Sequence, residues 1–130
     1  SRLSSIVVPL NIFLDNIFFG VGLTEFSVLY REVALEIYQI PFNAGGHSTN
    51  TIMNKFATYG VFFGLFYVYS YYLLAKLLSN KTQTLLLFLI FISLLANEDV
   101  RYSLIFSILP YYALNNKYVT LHRNLHNISR

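Results

Sequence analysis

Phe56-Ala57-Thr58-Tyr59-Gly60-Val61-Phe62-Phe63-Gly64-Leu65-Phe66-Tyr67-Val68-Tyr69-Ser70-Tyr71-Tyr72-Leu73-Leu74-Ala75 is a run of 20 residues without one charged side chain. At about 1.5 Å per residue, a helix of that length reaches roughly 30 Å, the thickness of a bilayer's hydrocarbon core. The run therefore predicts a transmembrane helix. Its tyrosines (Tyr59, Tyr67, Tyr69, Tyr71, Tyr72) imply protein neighbours, because a phenol oxygen in pure hydrocarbon lacks a hydrogen-bond mate. Gly60 and Gly64 form a GxxxG pair, which lets a second helix approach closely.

The rest of the chain agrees with a membrane class. Of its 130 residues 55% are hydrophobic, 18% aromatic and 12% charged, and the mean hydropathy is positive. Soluble domains carry roughly 25% charged residues, so a water-facing surface of ordinary make-up is excluded. The chain opens on Ser1-Arg2 with neither an initiator methionine nor a signal peptide, so the expectation is the C-terminal part of a longer protein. With no cysteine there is no disulfide, thiol catalysis or thiolate metal site. The net charge of +3 comes from basic residues that form no cluster. They flank apolar runs, which points to membrane topology and away from nucleic acid.

Downstream of the first run, residues 76–81 form a short basic turn, and residues 82–97 and 102–116 are again uncharged. Glu98-Asp99-Val100-Arg101 separates them. A single helix through this region would hold three charges at mid-membrane, at about 2.5–3.5 kcal/mol each. A hairpin brings them to the surface instead, with Pro110 kinking its second arm. The expected fold is an all-α polytopic membrane protein with three transmembrane helices at about 56–76, 82–97 and 101–117 and a short C-terminal tail.

Upstream, Ile6, Val7, Leu10, Phe13, Leu14, Ile17 and Phe18 share one helical face. The apolar stretch is too short to cross a bilayer and reads as a helix lying on the membrane surface; the tail of a longer span is the alternative. Ser4 or Ser5 would cap it, with Pro9 tolerated only near its first turn. Phe19-Gly20-Val21-Gly22 ends it, and its glycines permit positive φ and a close approach of chain or ligand. Residues 24–39 repeat the amphipathic pattern through Phe26, Leu29, Tyr30, Val33, Ile37 and Tyr38, until Pro41 stops it. A polar loop, Phe42-Asn43-Ala44-Gly45-Gly46-His47-Ser48-Thr49-Asn50, leads into the first span. Residues 1–55 thus read as one segment outside the bilayer and 56–130 as the membrane part.

All six acidic residues (Asp15, Glu25, Glu32, Glu36, Glu98, Asp99) fall on one side of this topology. Lys76, Lys81, Lys117, Arg123 and Arg130 fall on the other, which the positive-inside rule makes cytoplasmic. His47 is then the only outward histidine, able to exchange a proton near neutral pH or to be an ordinary hydrogen-bonded loop residue. Arg2 and Arg31 are outward arginines that can fork onto phosphate oxygens, although Arg31 has Glu32 and Glu36 beside it as partners. Lys55 marks the mouth of the first span at headgroup level. Glu98 and Asp99 make a solvated turn or half a metal site, and His122 and His126 a polar tail face.

Ser1-Arg2, Phe19-Gly20-Val21-Gly22, His47-Ser48-Thr49-Asn50 and Gly60, with the tip Asn97-Glu98-Asp99, resemble in order and topology the O-antigen polymerase and ligase superfamily, and in particular its Wzy-type polymerases. The resemblance spans nearly the whole chain. A His-Asn pair is common in the ligase branch; here Asn50 stands three residues after His47. What the resemblance implies is an integral-membrane, metal-independent glycosyltransferase of the bacterial inner membrane. It would use oligosaccharide repeat units on undecaprenyl diphosphate and need no cofactor. Arg2 would neutralise the departing diphosphate and His47 orient or deprotonate the acceptor hydroxyl, with Arg31, Gly20, Gly22 and Asn50 binding substrate. Membrane lipid, a chain-length regulator and a flippase would be its companions, and nucleic acid would not. The alternatives are a ligase acting on a lipid A-core acceptor, or a non-catalytic flippase or accessory protein.

Overall fold

The computed structural model describes residues 3–39, 48–97 and 108–118. Arg2, His47, the Glu98–Arg101 tip and the tail histidines lie outside them. The described chain is all-α, with helices α1 (Ser4–Asp15), α2 (Leu23–Tyr38), α3 (Thr51–Leu78), α4 (Thr84–Asn97) and α5 (residues 108–118). α3 is the axis of the molecule, with α1 and α2 packed on its first part and α4 against its second.

α1 departs from expectation at both of its polar signals. Ser4 and Ser5 are not caps: Leu3 is the N-cap, and both serines are buried inside the first turn. Pro9 is the sixth helical residue, beyond the turn where a missing N–H is harmless. The carbonyl it leaves without an intrahelical donor is that of Ser5, four residues earlier. Ser48 fills the gap, its hydroxyl donating to Ser5 O at 2.9 Å. An interior proline is thus made tolerable by a side chain 43 residues away. Val8 and Ile12 face inward with Phe13 packed against their cluster, while Ile6, Leu10, Leu14 and Phe18 stay exposed, leaving most of the apolar stripe read from the sequence on the outside.

α2 follows its pattern closely. Phe26, Tyr30 and Ala34 are buried and Leu29, Val33 and Tyr38 pack partly against them, while Glu25, Glu32 and Glu36 are exposed. Together with Val8, Ile12 and Ala57 they form the first core.

α3 does not run straight. Gly60 takes φ 80°, ψ −178°, which only glycine adopts readily, and divides it into Thr51–Tyr59 and Val61–Leu78. On a straight helix Phe56 and Gly64 would stand about 12 Å apart along the axis. Here the Phe56 ring lies against the Gly64 backbone and meets Phe13 edge-on at 5.5 Å. The two arms therefore make an elbow. The GxxxG pair, expected to seat a second helix, instead receives the Phe18–Phe19 backbone at Gly60 and the chain's own Phe56 at Gly64.

The longer arm, Val61–Leu78, has 18 residues, or about 27 Å, with Lys76 its single charge. α3 is the one helix, among the described residues, long and apolar enough to cross a membrane. α4, with 14 residues or about 21 Å, falls short of the roughly 17 residues a crossing needs. Of the expected third span only residues 108–118 are described, so three spans are not shown. α4 turns back after Ser79–Gln83, where Asn80 O accepts from Thr84 N and Thr84 Oγ1. Tyr71, Leu74, Leu95 and Ala113 join α3, α4 and α5 in a second core. Around it Phe62, Leu65, Leu85, Leu86, Leu89 and Tyr111 are exposed, an outer surface suited to hydrocarbon.

Candidate functional site

The elbow is held by backbone, not by side chains. Breaking a helix at Gly60 frees the carbonyls of Ala57 and Thr58 and the amide of Val61, each of which needs a partner when buried. The Phe19-Gly20-Val21-Gly22 turn supplies them. Val21 N donates to Ala57 O at 3.0 Å, Gly22 N to Thr58 O at 2.9 Å, and Val61 N to Ile17 O at 2.7 Å. Such an exchange requires the two backbones to touch. Gly20 has φ +65°, and a Cβ there would overlap the Thr58–Tyr59 peptide; one on Gly60 would overlap the Phe18 carbonyl. Gly22, at φ +83°, has open space where a Cβ would stand, so its lack of a side chain serves the turn and not the contact.

A second knot lies where α3 begins. Asn50 is its N-cap, accepting from Met53 N at 2.9 Å through Oδ1. Asn54, one turn on, donates from Nδ2 to Ser48 O at 3.0 Å. Among the described residues its buried Oδ1 finds no partner. Thr49 N and Thr49 Oγ1 both donate to Ser5 Oγ, at 3.3 and 3.2 Å. Ser48, Asn50, Thr51 and Asn54 are all buried, so a polar cluster clamps the start of α3 to the start of α1. Replacing Asn50 by alanine removes the cap and costs about 1 kcal/mol. Thermal unfolding should fall by roughly 3–6 °C, with Asn50→Asp restoring it.

Between the elbow and α5 there is a cavity of about 400 Å³, within the roughly 300–1,000 Å³ typical of small-molecule sites. Phe63, Phe66, Tyr67, Tyr111 and Leu114 wall it, with Ser70 and Lys55 as polar members. Lys55 lies 5.3 Å over the Tyr59 ring and 5.7 Å over the Tyr67 ring, close enough for cation–π attraction. In sequence Lys55 precedes the uncharged run; the elbow carries it beside residues well inside that run. Tyr67 and Ser70 stand about 9 and 14 Å along the Val61–Leu78 arm. At the far end Lys117 donates to Tyr69 Oη at 2.6 Å, fixing α5 on α3.

The residues singled out in the sequence fall into separate places. Gly20 and Gly22 shape the turn that closes the elbow, and Asn50 caps α3. Arg31 is exposed on α2, nine residues or about 13 Å beyond Gly22, and joins neither. Arg2 and His47 lie outside the described residues. The cavity went unread in the sequence because its cation and its walls are drawn together only by the break. No protein-family model, curated protein or solved structure matches this chain.

Proposed function

We propose that this chain is the outward segment and C-terminal membrane part of a polysaccharide polymerase of the O-antigen polymerase and ligase type. It would join lipid-diphosphate-borne oligosaccharides at the outer face of the bacterial inner membrane. The observation that supports this reading best is the clamp between Ser48 and Ser5, made by the 2.9 Å bond from Ser48 Oγ to Ser5 O. His47 is the residue before Ser48, and Arg2 is three before Ser5. The stretches leading to both candidates are therefore tied together, as two groups serving one substrate require.

In that reaction the acceptor sugar hydroxyl gives its proton to His47 as its oxygen bonds the anomeric carbon. The bond from that carbon to the diphosphate breaks, and the electron pair leaves on the phosphate oxygen. Arg2 would neutralise the departing charge. Exposed apolar residues on α1, α2 and the turn between them, among them Phe18, Phe19 and Leu23, suit a segment resting on the membrane where such a substrate lies.

Incubating the reconstituted protein with lipid-linked repeat units tests the proposal. Longer glycan still on the lipid diphosphate is the expected product. Glycan found only on an added lipid A-core acceptor would make the protein a ligase, and no glycosyl transfer to either would overturn both. A second reading, movement of the lipid-linked saccharide between leaflets, is favoured by the broken helix with Lys55 at its bend, since broken helices often build transport sites. In the same vesicles it would appear as a change of leaflet without a change of length.

A further inference from the structure

We infer that the cavity between the α3 elbow and α5 is a seat for one acyl chain of a bilayer phospholipid, which fills the gap between the two. The inference rests on α3 crossing a bilayer. It does not rest on the polymerase reading, because it uses none of the residues assigned to that reaction.

Polarity is the first argument. The polar groups of the wall are already engaged. Ser70 Oγ donates to Tyr67 O at 2.6 Å, and the Tyr67 and Tyr71 hydroxyls pair at 3.5 Å. Lys55 is not a free cation, for its ammonium lies over the Tyr59 and Tyr67 rings. The rest of the wall is phenylalanine, leucine, proline and the Tyr111 ring. A polar ligand would exchange its water for groups that have partners of their own, which is costly. Water itself is disfavoured, since a buried molecule needs two to four polar partners.

Size is the second argument. A dry void of about 400 Å³ forfeits dispersion contacts for every side chain around it. At the roughly 30 Å³ of a water-sized group, it has room for about a dozen methylenes, the greater part of an acyl chain. A further helix, about 10–12 Å across, would lie over the opening and leave the void beneath it.

Access is the third. Phe63, Phe66 and Tyr111 each belong to the cavity wall and are also exposed. The cavity is thus continuous with the outer apolar surface of α3 and α5, and a lipid chain enters it sideways without crossing water.

The chain has no tryptophan, so Phe66→Trp places one reporter in the cavity wall and Leu86→Trp one on the outer surface of α4. Each full-length variant is reconstituted in phosphatidylcholine brominated along its acyl chains. It is then purified in a steroid-based detergent, which has no flexible chain to compete. Phe66→Trp should stay quenched relative to the same variant taken from unbrominated lipid, while Leu86→Trp recovers its emission. A phosphorus assay should find phospholipid retained in stoichiometric amount. Adding Ser70→Leu, which pushes a larger side chain into the space, should abolish both the retained lipid and the quenching. Equal recovery of the two reporters would overturn the proposal, and so would retained lipid that Ser70→Leu does not displace. A chain that fails to float with the vesicles would overturn it at its premise. Absence of glycosyl transfer bears on the polymerase reading alone. Circular dichroism establishes that each variant is folded; should Ser70→Leu not fold, the contrast between the two reporters decides.

Discussion

Gly60→Ala should destabilise the folded chain by about 3–5 kcal/mol, enough to leave little of it folded. Two costs combine. A side chain at φ 80°, ψ −178° is strained by about 1–3 kcal/mol wherever it is found. The added methyl would also meet the Phe18 carbonyl, and backbone cannot swing aside as a flexible side chain can. Relief would mean a straight α3, but then Val21 N, Gly22 N and Ile17 O would lose the partners they now have. Gly20→Ala should behave alike, for it faces the Thr58–Tyr59 peptide across the same contact. Gly22→Ala, with open space around it, should cost only the strain of its positive φ, about 1–2 kcal/mol. The measurement is the fraction folded after detergent extraction against added denaturant. Equal behaviour of the three variants would show that the close contact carries no weight.

His47→Ala should lower polymer formation by about a hundred- to ten-thousandfold on the proposed reading, the usual worth of a positioned general base. Arg2→Ala should lower it by about a hundred- to a thousandfold, as loss of one donor at a developing anion does. The chain length of the surface polysaccharide is the readout, with protein abundance measured beside it. Long chains at normal abundance in either variant would remove that residue from the reaction. Ser48→Ala separates position from chemistry: it leaves the imidazole intact but deprives Ser5 O of its hydroxyl donor. A fall in activity there, with His47 unaltered, is expected if the clamp holds the two segments in register.

Much of the secondary structure was legible in the sequence. The α2 helix begins and ends within about one residue of its apolar pattern, because Pro41 and the glycine turn bound it on both sides. The α3–α4 reversal was legible too, since Lys76, Asn80 and Lys81 interrupt two uncharged runs. What could not be read was the elbow. A glycine in an apolar run looks the same whether it seats a neighbour or breaks the helix. The choice at Gly60 depends on whether a turn some 40 residues earlier offers amides to the carbonyls released. Lys55, read from the sequence as marking the mouth of the first span, also lines the cavity because of the bend. Pro9 failed for the same reason, its consequence being absorbed by Ser48, which no local pattern links to it. Of the candidate site, Asn50 and Gly20, which the resemblance assigns to substrate binding, have structural work as the cap of α3 and the closure of the elbow; polar and glycine residues signal either use alike.

The turn that closes the elbow also sets an order of assembly. Residues 17–22 leave the ribosome before residues 57–61, and at about 5–20 residues per second they precede them by several seconds. The amides that the broken helix needs are thus already synthesised when Gly60 is made, so the bend can form against a waiting template. Splitting the chain between the two, or supplying the earlier piece late, should let the nascent α3 form as an uninterrupted rod.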